Sequence, residues 1–319
     1  MCSQIMKTIS LLLLIAMAPG LRCFGDMGSL PFTSGVRIIE PRQDAIIAWN
    51  GKEQLLYLQT TLAASEETKV LEVMPLPSKP EVEAGHAGVF ERCQAVLPKV
   101  LVVDSEVYGP FGIPDELPAA TVVERKTIGI HHLQTVELHD AARFSEWVKE
   151  RFGGEGLVIP APLIEVIEEY AKDDYRWFLF DVIEVTKDES KKTPLRIRFK
   201  TDMLYYPMRI TRTEEGDTTV SLSVLTNVLF NKEDCVGIPK EAIKVPVRPV
   251  EILGTTVKWI DPPLYELLGR PQVAQLRTWE VSGEIDSFQK DILVRNPAAA
   301  KKKAEEVGAK TPISESNAR

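Results

Sequence analysis

Residues 44–82 read DAIIAWNGKEQLLYLQTTLAASEETKVLEVMPLPSKPEV. Asn50-Gly51 predicts a two-residue type I′ turn, because both central positions of that turn need positive φ and apolar runs flank the pair. A turn closed between Trp49 and Lys52 pairs Ile47 with Gln54, Ile46 with Leu55, Ala45 with Leu56 and Asp44 with Tyr57. Both faces are mixed near the turn and apolar further down, which predicts a wet tip and a base buried on both faces. Lys69 to Met74 continue as a third strand, with Val70, Glu72 and Met74 on one face and Leu71 and Val73 on the other. Pro75, Pro77 and Pro80 then end it, since proline cannot donate to a ladder. PLPSKP is thus an extended exit from the sheet or an edge, a rigid corner; read as an exposed PxxP segment, it would instead be a polyproline ligand.

A chain of 319 residues with 44% hydrophobic content can bury one large core or two smaller ones. Residues 1–25 have the pattern of an export signal. Lys7 supplies the positive start, Ile9 to Ala18 are apolar but for Ser10, and Pro19-Gly20 break the run. Such a segment falls short of a bilayer core of ~30 Å, so membrane contact is expected only through it if it is uncleaved. Cys23 offers a lipid attachment point, with Arg22 a poor neighbour for it; the alternatives are a soluble exported form and an anchored one. The expected localisation is extracytoplasmic, in the periplasm or secreted. The formal charge is −8. Taking away +2 in residues 1–25 and +2 in residues 296–319 leaves −12, an acidic body that repels phosphate backbones and argues against nucleic acid as a partner.

Downstream, His86 to Leu97 predict a short helix with Phe90, Cys93 and Leu97 on one stripe. Asp104 to Pro118 read as a surface loop rich in Gly and Pro. Thr121 to Leu138 hold two strand-like runs. Asp140 then has the chemistry of an N-cap, followed by the helical stripe Phe144, Trp147, Val148 and Phe152, with Gly153-Gly154 as the stop. A second helix from Ala161 to about Asp173 places Leu163, Ile167, Tyr170 and Ala171 on one face. WFLFDVIEV (177–185) is apolar enough to be central in a sheet, whereas LRIRFK (195–200) alternates and is half exposed. MLYYPMRITRT and TTVSLSVLT predict a second hairpin around residues 214–217. Asp261-Pro262-Pro263 open a short helix that ends at Gly269. QLRTWEVSGEI and DILVR are late strands, and residues 296–319 read as a mobile tail.

Few residues suggest chemistry. In HHLQTVELH, His131 and His139 share a strand face but lie roughly 26 Å apart at ~3.3 Å per residue, and His132 points the other way, so they do not share a metal. The remaining functional reading is that one of them joins distant residues in a site. Asp173-Asp174 oppose the helix dipole at a helix end, which solvation explains without a bound cation. Ser78-Lys79 point in opposite directions on an extended chain and do not make a dyad. No nucleophile elbow, phosphate loop or dinucleotide fingerprint occurs, so the sequence names no catalytic, cofactor-binding or metal residues and implies no cofactor. Cys93 and Cys235 are either bridged, as an oxidising compartment permits, or buried as small hydrophobes.

QDAIIAWNGKEQLLYLQTTL, KVLEVMPLPSKPEV, FSEWVKERFGG, YRWFLFDV, LYYPMRIT and LRTWEVSGEI together resemble the bacterial family catalogued as domain of unknown function 2330, over most of residues 36–295. That resemblance implies an extracytoplasmic protein and brings no catalytic residues with it. The expected architecture is α+β, mainly antiparallel sheet with an inserted amphipathic helix pair, as one domain over 30–295. Two sub-domains meeting near residue 120 are the alternative. The expected function is a non-catalytic envelope protein that binds or scaffolds an envelope protein or ligand. Its rival is an extracytoplasmic hydrolase whose site is assembled only in three dimensions.

Overall fold

Strands β1 (Leu30–Pro31), β2 (Ile38–Trp49), β3 (Glu53–Ala64), β4 (Thr68–Leu76) and β5 (Glu81–Ala84) come first, followed by helix α1 (Val89–Ala95). Next, β6 (Ala120–Ile128) and β7 (His131–Leu138) form a hairpin, helices α2 (Ala141–Gly153) and α3 (Ala161–Lys172) follow, and β8 (Trp177–Val185) runs after them. The chain continues through β9 (Ser190–Lys191), β10 (Leu195–Lys200), β11 (Leu204–Tyr206), β12 (Asp217–Thr226), β13 (Ile243–Lys244) and β14 (Val250–Leu253). Helices α4 (Gly254–Ile260) and α5 (Pro262–Leu267) lead to β15 (Val273–Glu284) and β16 (Ile292–Val294). The computed structural model describes residues 28–98, 120–153, 159–188, 190–213 and 216–295. The expected signal (1–25), loop (104–118) and tail (296–319) lie outside the described residues.

The protein is β-rich and mainly antiparallel, built among the described residues on two large sheets and a two-stranded one, β11-β16. The smaller of the large two has the order β1-β4-β8-β7-β6. The larger follows β13-β15-β12-β2-β3-β10-β5, with β14 also on β15 and β9 also on β3. Its one parallel pair is β12 beside β2. As its largely apolar sequence predicts, β8 is central, paired to β4 and β7. In β10, burial alternates with Leu195, Ile197 and Phe199 inside.

The two sheets share a core in which Met74, Leu133 and Leu179 of the smaller meet Ile47, Leu56, Leu222 and Trp279 of the larger. Helices α2 and α3 cover the other face of the smaller sheet, where Phe144, Trp147, Val148 and Phe152 pack on Phe178 and Phe180. The Phe144–Phe178 and Phe152–Phe180 ring centroids are 4.9 and 5.1 Å apart. Each fully buried aromatic contributes about 1.5–3 kcal/mol over exposure. This is the force that holds these helices to the sheet. Helices α1, α4 and α5 cover part of the outer face of the larger sheet, over Ile46, Ala48, Leu225 and Leu276.

The structure corrects five expectations. First, the turn is centred on Gly51-Lys52: Trp49 pairs with Gln54, Ala48 with Leu55 and Ile47 with Leu56. Gly51 alone takes positive φ (95°), as in a type II′ turn, while the Asn50 carboxamide oxygen accepts the N–H groups of Lys52 and Glu53 at 2.9 Å. The shift is two residues, so every side chain keeps its predicted face. Second, the wet tip is confined to the turn itself, where Asn50 and Lys52 are exposed, and burial begins at once on either side. Ala48 and Leu55 are buried under α5, Trp49 is buried on the opposite face in the core between the sheets, and the Asn50 amide donates to the Leu267 carbonyl at 3.0 Å.

Third, Pro75 lies inside β4, opposite Phe178. Its missing donor is harmless there because β1 pairs only with Leu71 and Val70, leaving that stretch of β4 an edge. Fourth, no second hairpin forms. β11 pairs with β16, β12 pairs with β15 and β2, and Arg209–Thr213 make a 3₁₀ turn between them. Pro207 removes a donor, and the Met208 and Arg209 amides are taken at 3.0 Å by Asp291, which turns the chain out of the strand. Fifth, Gly254–Ile260 is a helix with no counterpart among the expected elements.

Candidate functional site

His131 does join distant residues. Its Nδ1 bonds Asp181 and its Nε2 bonds the Thr193 carbonyl at 3.0 Å, and the ring is 3% exposed. Glu72 stands directly opposite Asp181 across β4 and β8, and Lys192 bonds Glu72. Each of the two carboxyl groups facing each other between the sheets thus has a nitrogen-bearing side chain as its hydrogen-bond partner, as a buried polar group needs. Both ring nitrogens of His131 face oxygen acceptors, so neither is free to abstract a proton. The Asp181 Oδ1 atom is buried without a hydrogen-bond partner. His139 lies elsewhere, its Nε2 2.9 Å from the Thr121 hydroxyl.

Asp173 and Asp174 meet guanidinium groups as well as solvent. Asp173 accepts from Arg209 at 2.6 Å, and Asp174, at φ 65°, accepts from Arg176 at 2.8 Å. Arg209 extends this into a knot, lying 3.9 Å over the Tyr170 ring. One oxygen of Asp291 accepts from the Tyr170 hydroxyl at 2.6 Å and from the two amides above. Burial lifts the Asp291 carboxyl above its ordinary pKa and lifts the Tyr170 phenol well above its own. The knot fastens α3 to the segment entering β16, and its role is structural.

Ser78 clamps the chain rather than serving Lys79. Its hydroxyl donates to the Lys200 carbonyl at 2.7 Å and accepts the Lys200 amide at 2.8 Å. Cys93 and Cys235 are both free and buried, one under α1 and the other in the core between the sheets, so the bridge is not made. Burial pushes the Cys93 thiol up to about 12.

The concave site lies on the outer face of the larger sheet, where α1 stops covering it. Asp44, Ser221 and Glu280 stand side by side in one row across β2, β12 and β15. Ser223 and Thr278 form the adjacent pair one step along the strands. Phe90, Gln94, Leu97 and Pro98 wall one side and Pro246 and Val247 the other, enclosing about 230 Å³. Thr278 is 8% exposed, and its hydroxyl oxygen is buried without a hydrogen-bond partner. Ser223 bonds the Cys93 thiol, and Lys244 approaches Glu280 at 3.4 Å from outside the cleft. Two carboxylates and three hydroxyls therefore meet in a cleft whose lining, among the described residues, contains no basic side chain. The sequence did show Ser221 and Ser223 alternating with Leu222 and Val224. It could not show which strands stand beside them.

These features define a β-rich α+β protein with a small polar cleft on an outward sheet face. The chain belongs to the bacterial family DUF2330, described as an uncharacterized protein conserved in bacteria, which matches residues 27–267. β15 and β16 lie beyond that match yet complete the larger sheet and the Asp291 knot. Among solved structures, baculovirus P35 is similar at 10% identity, over 83% of this chain and 94% of that one, with a TM-score of 0.34. A likeness so distant carries no functional argument. No curated protein matches the chain. Among the described residues, no group of three or more His, Cys, Asp or Glu side chains could hold a metal ion, and no helix is long and apolar enough to cross a membrane.

Proposed function

We propose that this is an extracytoplasmic, non-catalytic binding protein, with the cleft between α1 and the larger sheet as its ligand site and the helix pair α2–α3 as the amphipathic brace of its scaffold. The observation that carries the reading is the buried, unpartnered Thr278 hydroxyl in the cleft. Such a group costs about 1–3 kcal/mol when left alone, and a bound ligand would relieve that cost. Lys7 followed by the apolar run Ile9 to Ala18 supports export. A hydrolase with His131 as its base would need a free ring nitrogen, and His131, buried beside Asp181, uses both of its nitrogens.

The test incubates the full chain with an extract of the host, removes unbound solutes, denatures the protein and identifies released small molecules by mass spectrometry. A Ser221→Trp variant, whose indole fills the cleft, is the control. A compound released from the wild type and not from the variant is expected. Equal release from both, or none from either, rejects the cleft as the binding site. Fractionation of host cells tests location independently: a wholly cytoplasmic protein rejects export.

A further inference from the structure

We propose that the cleft takes a single neutral polyhydroxylated ring, a monosaccharide or a cyclitol. This deepens the binding reading above and rests on it. Both carboxylates of the cleft are already engaged: Glu280 is paired with Lys244 at 3.4 Å, and Asp44 has an interaction of its own. An ammonium ligand would have to compete with those partners, and an anion would meet two carboxylates at close range. What an engaged carboxylate keeps is acceptor capacity. Its two oxygens offer about four lone-pair sites, so one partner leaves room for hydroxyl donors.

Asp44, Ser221 and Glu280 stand in one row on neighbouring strands, at ~4.8 Å per strand, with Ser223 and Thr278 one step along. Ser223 is occupied by the Cys93 thiol. Thr278 is 8% exposed, and its hydroxyl lacks a partner. A hydroxyl both donates and accepts, so a ligand hydroxyl satisfies Thr278 in either sense, and a polyol brings further hydroxyls for Ser221 and the two carboxylates. Phe90, Leu97 and Val247 supply apolar walls for the C–H groups of the ring. The volume of about 230 Å³ lies under the roughly 300–1,000 Å³ of drug-sized pockets, which selects one ring over an oligosaccharide.

Calorimetric titration of the full chain with glucose, galactose and myo-inositol tests the proposal, with 1,5-diaminopentane and pentanoate as charged comparators. Saturable binding of at least one ring is expected, unchanged between about 0.1 and 1 M salt because the ligand carries no charge. Thr278→Val removes the hydroxyl and keeps the shape. It should raise the Tm of the ligand-free protein while weakening ring binding about fivefold, as for one neutral hydrogen bond. A purely structural Thr278 would not move the two in opposite directions. Ser221→Trp should abolish binding, with thermal unfolding to check that the fold is retained. Glu280→Ala, at an exposed side chain, should weaken binding about tenfold and serves if a sheet variant does not fold. Tighter binding of either charged comparator than of any ring overturns the proposal, as does ring binding that Thr278→Val, Ser221→Trp and Glu280→Ala leave unchanged. No ring bound, with another compound released by the wild type from host extract, overturns the ring but leaves the cleft as the binding site. No ring bound and no ligand recovered from extract overturns both readings.

Discussion

Replacing Asp291 by alanine removes one oxygen that accepts three hydrogen bonds: the Tyr170 hydroxyl at 2.6 Å and the Met208 and Arg209 amides at 3.0 Å each. Hydrogen bonds to a charged acceptor contribute about 1.5–3 kcal/mol net, but three that share an atom do not add. The variant also leaves two backbone donors and a phenol buried without partners and takes a carboxylate from beside Arg209. A loss of about 3–5 kcal/mol is expected. Asp291→Asn keeps an acceptor oxygen in place and should lose only about 1–2 kcal/mol. Urea unfolding followed by tryptophan fluorescence measures both, as shifts in midpoint at constant slope.

The same pair of variants tests the electrostatics. Burial, the largest influence on this carboxyl, raises its pKa in the folded protein, so the native state holds the proton more tightly than the unfolded chain. Its contribution therefore favours folding below the unfolded pKa and is lost as pH rises through the folded pKa. Asp291→Asn has nothing to titrate and should lack that acid-side component. An alanine variant within about 1 kcal/mol of wild type would refute the reasoning, as would an asparagine variant no better than alanine.

Tyr57→Phe removes the 2.5 Å hydrogen bond to the buried Asp261 at the start of α5 and should lower stability by about 1.5–3 kcal/mol in the same assay. Gly237→Ala would set a Cβ 1.7 Å from the Asp291 carbonyl oxygen, so a loss above about 3 kcal/mol or failure to fold is expected. Gly153→Ala, with nothing within 4 Å, should stay within about 0.5 kcal/mol of wild type. Cys93 and Cys235 should resist alkylation in the native protein. Both should label after denaturation without reductant, with peptide mapping to identify them; a Cys93–Cys235 disulfide peptide would contradict the fold.

Much of the local structure was legible in the sequence. The spacing of Phe144, Trp147, Val148 and Phe152 marks a helix face, and those residues are buried. The largely apolar run 177–185 marks a strand flanked on both sides, and β8 is one. These signals work because burial on one face imposes a period of 3.6 or 2 on the chain wherever the element lies. The turn at Gly51-Lys52 escaped for the same reason: a slip of two residues preserves the faces, so the pattern cannot report it.

What the sequence by itself determined is where most of the longer strands and helices lie and which way most of their side chains point. The tertiary structure alone decided which strands became neighbours: β12 parallel to β2, β15 beside β12, and β11 with β16 instead of a hairpin. Every buried polar assembly depends on that choice. His131 meets Asp181 50 residues away, Tyr170 meets Asp291 121 residues away, and Asp44, Ser221 and Glu280 come from three separate parts of the chain. Hydrophobic periodicity is a one-body property of each segment. Pairing is a property of two segments, set by how all the faces can be buried at once, and the cleft exists only where that packing leaves one polar row uncovered.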